Sequence, residues 1–324
     1  MKLEIVVLHY HEPWDMVKYL LDTIKTQKGV DWSDIGVFIV NDGDDVVLDE
    51  ANFAEYPFSI RYDIKEHTGI SGTRNYGIEN STADYIMFCD SDDGFLNNYG
   101  LHTILDVMAE NPDMIISSFA EELLKNGKYV IVRHDKDIVF CHGKVYRRQF
   151  LLDKNLRFDT ELAFCEDSLF NKIAFHEAAL VKSIESPLYL WAWNNTSTTR
   201  KQKECVVLLR YHEAMLMRIR TCEQLRDRGF TEEYFKIVAK VFFDCYYEFN
   251  DPDYMVEEYA DLYKAAEEEF KVFCNMFIAD FLRCDLSLIA QTMMECRQIA
   301  YSSGMYMESF DFKSWLRRMS GVEQ

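Results

Sequence analysis

The sequence predicts an α/β domain with a mostly parallel central sheet over residues 1–200 and an all-helical domain over residues 201–324. Three observations lead there. Up to about Arg200, short apolar runs alternate with amphipathic segments, which is the signature of β-α-β units. Acidic clusters follow two of those runs at once, as ligand-binding residues do at the carboxyl ends of parallel strands. Beyond Lys201 the runs stop, and apolar residues recur at helical spacing, as in Val206, Leu209, Ala214 and Met217 and again in Val238, Val241, Phe242 and Cys245.

In chain order, Leu3 to Leu8 reads as a buried strand. Trp14 to Gln27 reads as a helix, because Met16, Val17, Leu20, Leu21 and Ile24 share one face. Gly36 to Val40 is a second strand, and a polar loop follows it directly. Phe58 to Ile64 alternates like a half-buried strand, Ser71 to Asn80 suits a helix, and Asp84 to Cys89 is a third apolar run. A helix is expected from about Asn98 to Glu110, then a strand from Met114 to Phe119. Lys125-Asn126-Gly127-Lys128 is a hairpin turn that leads into Tyr129 to Arg133.

Composition narrows the function classes. Hydrophobic residues make up 48% of 324, with 13 Gly and 5 Pro, so the chain is folded and globular. The net charge is -20, of which residues 201–324 contribute -6 (16 basic, 22 acidic) and the first 200 residues -14 (19 basic, 33 acidic). Such a surface repels polyphosphate, so general nucleic-acid binding is not expected. Nine cysteines without a C-x-x-C pair are expected to be reduced thiols of a cytoplasmic protein. The opening M-K-L-E-I-V-V-L-H-Y-H-E is too short and too polar for a signal peptide, and no stretch is long enough for a transmembrane segment.

The chemistry-bearing clusters are Asn41-Asp42-Gly43-Asp44-Asp45, Asp90-Ser91-Asp92-Asp93 and Cys165-Glu166-Asp167. Two carboxylates one residue apart at the end of a buried strand can share a hard divalent cation and leave room for phosphate oxygens, so Asp90 and Asp92 are metal candidates with Asp93 in support. An EF-hand is excluded, since Gly94 falls at loop position 5 and Leu101 at position 12. A dinucleotide fold is excluded too, because His9-Tyr10-His11-Glu12 stands where a G-x-G-x-x-G would be needed.

The succession I-V-V-L-H-Y-H-E, F-I-V-N-D-G-D-D, E-H-T-G-I-S-G-T-R-N-Y-G-I, A-D-Y-I-M-F-C-D-S-D-D and F-C-E-D-S-L-F resembles family 2 glycosyltransferases of the GT-A fold, in that order and with similar spacing. The likeness covers residues 3 to 200, including H-G-K-V-Y-R-R-Q-F-L and P-L-Y-L-W-A-W-N-N-T-S. The loop after the first strand departs from the family's common P-x-Y-N form.

The resemblance implies an inverting, metal-dependent transfer of sugar from a nucleoside-diphosphate sugar, a UDP-sugar above all, with Mn²⁺ or Mg²⁺. It implies that Asp42 meets the base through a ring N–H and that Tyr10 stacks on it. Gly69, Arg74 and Asn75 would lie against ribose and diphosphate, Asp90 would hold the ribose hydroxyls, and Asp92 the metal. Asp167 would be the general base, with Glu166 beside it to orient donor or acceptor. His142, Lys144, Arg147 and Arg148, with Trp191 and Trp193 alternating on one strand and Arg200 or Lys201 closing over the diphosphate, are further candidates.

The expected product class is a glycan or polysaccharide, with a hexosyl or N-acetylhexosaminyl group passed to a glycan, lipid-linked or protein acceptor. Two alternatives stand beside this reading. One is an idle sugar-nucleotide-binding scaffold. The other is a nucleotidyltransferase, which would need a Gly-rich basic loop after the first strand, where His9 to Trp14 stands.

Overall fold

Four parallel strands carry one half of the sheet: β1 (Leu3–His9), β2 (Ile35–Asn41), β3 (Ser59–Ile64) and β4 (Tyr85–Asp90), in the spatial order β3-β2-β1-β4. Every residue of β1 and β2 is buried, which is why both read as nearly continuous apolar runs, with Glu4 the interior exception, rather than alternations. Helices α1 (Trp14–Lys25) and α2 (Gly69–Asn80) make two of the three connections, a 3-10 segment at Glu50–Glu55 lying in the one between β2 and β3, and α1 seals Val17, Leu20, Leu21 and Ile24 into the core with Ile5, Val7 and Ile39. These are the features of a computed structural model that describes residues 1–195, 213–250, 260–304 and 311–321.

The other half of the sheet is mixed. A short strand β5 (Gly94–Phe95) and helix α3 (Gly100–Met108) lead to β6 (Met114–Lys125) and β7 (Lys128–His134), the expected hairpin. Strand β8 (Lys144–Arg147) runs antiparallel between β4 and β6, and α4 (Arg148–Asp153) and α5 (Glu166–Glu177) precede β9 (Val181–Trp191). β9 pairs in parallel with β6 and antiparallel with β5.

The β6/β9 register slips between Ser117 and Phe119, at the segment of β9 that contains Pro187, a residue with no N–H to give to a ladder. Past the slip, Tyr189 is flanked by Phe119 and Phe95, and its hydroxyl reaches the end of β4. Bulges next to functional sites commonly re-aim a side chain in this way. β9 ends at Trp191, so Trp193, read from the sequence as alternating with it on one strand, lies beyond the strand, where its N–H donates to Glu122 at 2.9 Å.

The chain divides into two units, Met1–Ser197 and Thr198–Gln324. The second is helical: α6 (Ala214–Asp227), α7 (Thr231–Asn250), α8 (Ala260–Phe281), α9 (Leu286–Ser302) and α10 (Phe312–Ser320). Its core is aromatic, with Phe242 against Phe270, Phe273 and Phe281, and Tyr246 edge-on to Trp315. Arg218, partly buried on α6, donates two hydrogen bonds to Glu248 at 3.0 and 2.7 Å. No helix among the described residues is long and apolar enough to cross a membrane. The sequence candidates Arg200 and Lys201 lie outside the described residues.

Candidate active site

The register of the parallel strands builds the site. His9 faces Asn41 across β1 and β2, and Leu8 faces Asp90 across β1 and β4, so three strands deliver their polar ends to one edge within a residue of each other. His11 and Cys165, two non-glycine residues with left-handed backbone at φ 69° and 62°, flank this edge. Such strain collects where neighbouring structure holds functional groups in place.

On the β2 side, Asp42 is buried, and its carboxylate accepts from the N–H groups of Thr68 and Gly69, both at 2.9 Å, at the start of α2. Lys65 completes the set with an ion pair. Burial opposes the charge, but the Lys65 ammonium and the Thr68 N–H outweigh it and hold Asp42 below the usual carboxylate range. A contact from Asp42 to a base N–H must therefore compete with these inward donors. Gly43 is required here: at φ +77° an added Cβ would stand 2.6 Å from the backbone nitrogen of His67. Tyr10 lies ring-to-ring with His67 at 4.8 Å, and both are well exposed, so they offer flat faces at the mouth of the edge. His9 is buried and bonded to the Glu12 backbone oxygen at 2.9 Å, a scaffold contact.

Glu12 is a residue the sequence reading did not single out. Its carboxylate accepts from Tyr10 N–H at 2.7 Å and from the Ser91 hydroxyl at 2.8 Å, tying the first loop to the acidic cluster. In that cluster Asp93 N–H donates to the Asp90 oxygen at 3.1 Å, which closes a turn. Asp93 is fully buried, accepts from the Tyr189 hydroxyl and from Ala192 N–H at 2.9 Å, and has no cationic partner among the described residues. Asp92 accepts from Asn194 at 2.7 Å. Asp90, Asp93 and His142 each offer a ligand atom, all within 4.8 Å of one another. Burial, then the charges of Asp92 and Glu12, push Asp90 up to about 6 against the pull of Arg74. Burial and the neighbouring Asp90 and Asp92 push Asp93 well above its ordinary value.

Across from these acids, α5 opens with Glu166 and Asp167. Arg74, on α2, is buried and donates to Glu166 at 2.5 Å, and its guanidinium comes to 4.0 Å from Asp90. The sequence reading set Arg74 against a diphosphate; the structure spends one arm of its fork on Glu166. Asn75 turns away altogether, its amide clamped to the backbone N–H and oxygen of Phe158 at 2.8 and 2.9 Å. Asp167 is half-buried and accepts from Ser168 N–H at 2.7 Å. Burial, then the Glu166 charge, raise it to about 7, while Arg74, the Ser168 N–H and Lys144 oppose the rise. Lys144 is fully buried with Asp137 at 3.3 Å.

Two other candidates serve the scaffold. Arg147 pairs with Asp113, and Arg148 donates to the Ile78 and Glu79 oxygens at 2.8 Å each. His142 is buried, with its ring parallel to Phe140 at 5.6 Å and to Tyr189 at 4.8 Å, and Trp191 lies 5.0 Å away.

Comparison with known proteins bears on the family and the fold. The chain is 27% identical over 218 residues to the uncharacterized glycosyltransferase EpsJ of Bacillus subtilis, covering 60% of this chain and 62% of that protein. It is 24% identical over 260 residues to the uncharacterized glycosyltransferase YibD of Escherichia coli, covering 72% and 73%. The match to EpsJ thus spans about three fifths of that protein's length. The fold is like that of Staphylococcus aureus TarS residues 1–349, solved in complex with UDP, at a TM-score of 0.61 and 16% identity over 96% of this chain and 94% of that one. The model of the family described as Glycosyl transferase family 2 matches residues 4–177, more than half of the sequence, and the chain belongs to that family.

Proposed function

We propose that the protein is an inverting glycosyltransferase that moves a sugar from a UDP-sugar to an acceptor hydroxyl in glycan biosynthesis, residues 1–200 being its catalytic domain and 201–324 a separate helical domain. The observation that carries this reading is the convergence of two acidic sets on one buried guanidinium: Arg74 bonds Glu166, the neighbour of Asp167, and comes to 4.0 Å from Asp90, which clusters with Asp93. A transferase needs that division, because the departing diphosphate and the attacking hydroxyl must be served from opposite faces of the anomeric carbon. That S. aureus TarS residues 1–349 were also solved in complex with UDP-GlcNAc supports a UDP-sugar and, within it, an N-acetylhexosaminyl or hexosyl group.

The carboxylates at the end of β4 fit a divalent cation, since Asp90, Asp93 and His142 offer ligand atoms within 4.8 Å of one another and Asp93 is fully buried with no cationic side chain beside it among the described residues, and buried charges are paired or bind metal. When bound there, Mn²⁺ or Mg²⁺ supplies charge neutralisation for the leaving diphosphate. Tyr10 and His67 offer ring faces for the base. Asp167 takes the proton of the acceptor hydroxyl as its oxygen bonds to the anomeric carbon and the bond to the diphosphate oxygen breaks, so UDP and a glycoside of inverted configuration leave. A carboxyl held at about 7 suits that duty, because a base works best when its pKa lies near the working pH. Glu166, fixed by Arg74, keeps the start of α5 in place.

The test is melting temperature and turnover with UDP-, GDP- and CDP-sugars, with and without Mn²⁺, Mg²⁺ and EDTA. Stabilisation by UDP plus metal, with sugar transfer to an oligosaccharide panel, is the expected result. Stabilisation by GDP or CDP alone would overturn the uracil assignment, and UDP binding without any transfer would favour an idle binding protein.

A further inference from the structure

Strand β7 is an edge of the sheet, since it pairs with β6 alone. The turn before it decides which of its main-chain groups are free. Asn126 and Gly127 have left-handed backbone at φ 51° and 74°, the two-residue type I′ connection, which makes Lys125 and Lys128 a hydrogen-bonded pair. Such pairs alternate along an antiparallel ladder, so Val130, Val132 and His134 turn their N–H and C=O groups to β6, and Tyr129, Ile131 and Arg133 turn theirs outward. Among the described residues, no main-chain bond from outside the hairpin reaches these three.

The edge is anchored at its base and apolar along its length. The His134 ring stacks on buried Phe119 at 4.5 Å and bonds Glu121 at 3.0 Å. Tyr129, Val130 and Ile131 are exposed, as is Leu124, which faces Tyr129 across the hairpin. Natural sheets guard such an edge with a charge, a proline or a bulge. Tyr129-Val130-Ile131-Val132 holds neither charge nor proline, and the β6/β7 register runs without a slip. An unguarded row of this kind is a template for another strand.

The strand fits a second copy of itself. Outward residues must meet outward residues, so an antiparallel self-pairing can shift only in steps that keep Tyr129, Ile131 and Arg133 facing one another or the chain beyond them. Centred on Ile131, it sets Ile131 against Ile131, Tyr129 against Arg133 and Val130 against Val132, and Lys128 meets His134 with Glu121 beside it. That register forms about six main-chain bonds, two at each outward pair, around a two-fold axis. The next register one way opposes Lys128 to Lys136; the next the other way sets Arg133 against Gly127 of the turn and loses a pair. We infer that β7 is a self-association surface, at which two copies of this chain join antiparallel about Ile131 and continue each sheet into the other.

The experiment is sedimentation velocity of the full chain over a concentration series, with hydrogen exchange read at single amides in the dilute and concentrated samples. A dimer should form as concentration rises, and exchange at Tyr129, Ile131 and Arg133 should slow by about tenfold or more, whereas Val130 and Val132 are already bonded to β6 and start slow. Ile131→Lys brings two ammonium groups together at the axis and should weaken association about tenfold or more. Ile131→Pro removes the central outward N–H, leaves the β6 ladder its donors, and should give a monomer. A wild type that is monomeric at every concentration overturns the inference, even where an added extended peptide of unrelated sequence protects the same amides. A dimer that both variants leave unchanged, or that forms without slower exchange at Tyr129, Ile131 and Arg133, overturns it as well. The wild-type exchange pattern and Ile131→Lys decide the matter even if Ile131→Pro fails to fold.

Discussion

The Arg74 guanidinium stands 2.5 Å from Glu166 and 4.0 Å from Asp90, so a single buried cation faces both acidic sets of the site. Its Nε is buried without a hydrogen-bond partner, which leaves the two carboxylates as its principal company. Arg74→Met should therefore strand the Glu166 charge and cost about 3–5 kcal/mol of stability, as the breaking of buried ion pairs does. Arg74→Lys keeps the charge but lacks the planar fork, and should fall between. Urea unfolding of the three proteins checks this. A Met variant as stable as wild type would show that the pair contributes nothing.

Asp167→Asn preserves shape and removes the proposed base. Transfer should fall by roughly 10²- to 10⁴-fold, with UDP affinity within about threefold of wild type. Single-turnover transfer and calorimetric UDP titration on the same preparation make the comparison. Near-normal turnover in a folded protein would move the role to Glu166.

The acid limb of the kcat/KM profile should lie near pH 7, because burial and the Glu166 charge raise Asp167 to about 7 and the protonated carboxyl cannot accept a proton. The rate is lost as pH falls through that value and is retained above it. Glu166→Gln removes a neighbouring negative charge, so the limb should move to lower pH. A limb that stays in place, or moves upward, contradicts the assignment of Asp167 as the titrating base.

Asp42→Asn tests whether this residue chiefly holds the protein or the base. With N–H donors of Thr68 and Gly69 and the Lys65 ammonium converging on its carboxylate, the variant should lose about 1–3 kcal/mol at pH 7. The folded pKa lies below the ordinary value, so this stability is present above the unfolded pKa of about 4 and is lost as pH falls through the folded one. Stability curves of both proteins between pH 3 and 7 should converge at the acid end. A variant with unchanged stability but UDP binding weakened more than about tenfold would restore Asp42 as a base-recognition residue.

Local chemistry made the strands legible, because a parallel strand covered on both faces is apolar over most of its length, and Leu3–His9, Ile35–Asn41 and Tyr85–Asp90 are, with Glu4 the interior exception and His9, Asn41 and Asp90 standing at their ends. The same pattern located the acidic clusters, since β2 and β4 turn polar where they leave the sheet. The helical register of Val238, Val241, Phe242 and Cys245 needed no more than the 3.6-residue period, and α7 buries all four. Which polar groups meet was decided elsewhere. Arg74 and Glu166 are 92 residues apart, and no periodicity links them. β8 is four residues long, too short to register as a pattern, yet it brings His142 to the end of β4. The turn that pairs Asp90 with Asp93 depends on where β4 ends, and the slip beside Pro187 that aims Tyr189 at Asp93 depends on the pairing of β6 with β9. Burial patterns follow from a residue and its near neighbours in the chain, so sequence records them; side-chain partnership follows from loop closure and strand register, which only the assembled sheet supplies.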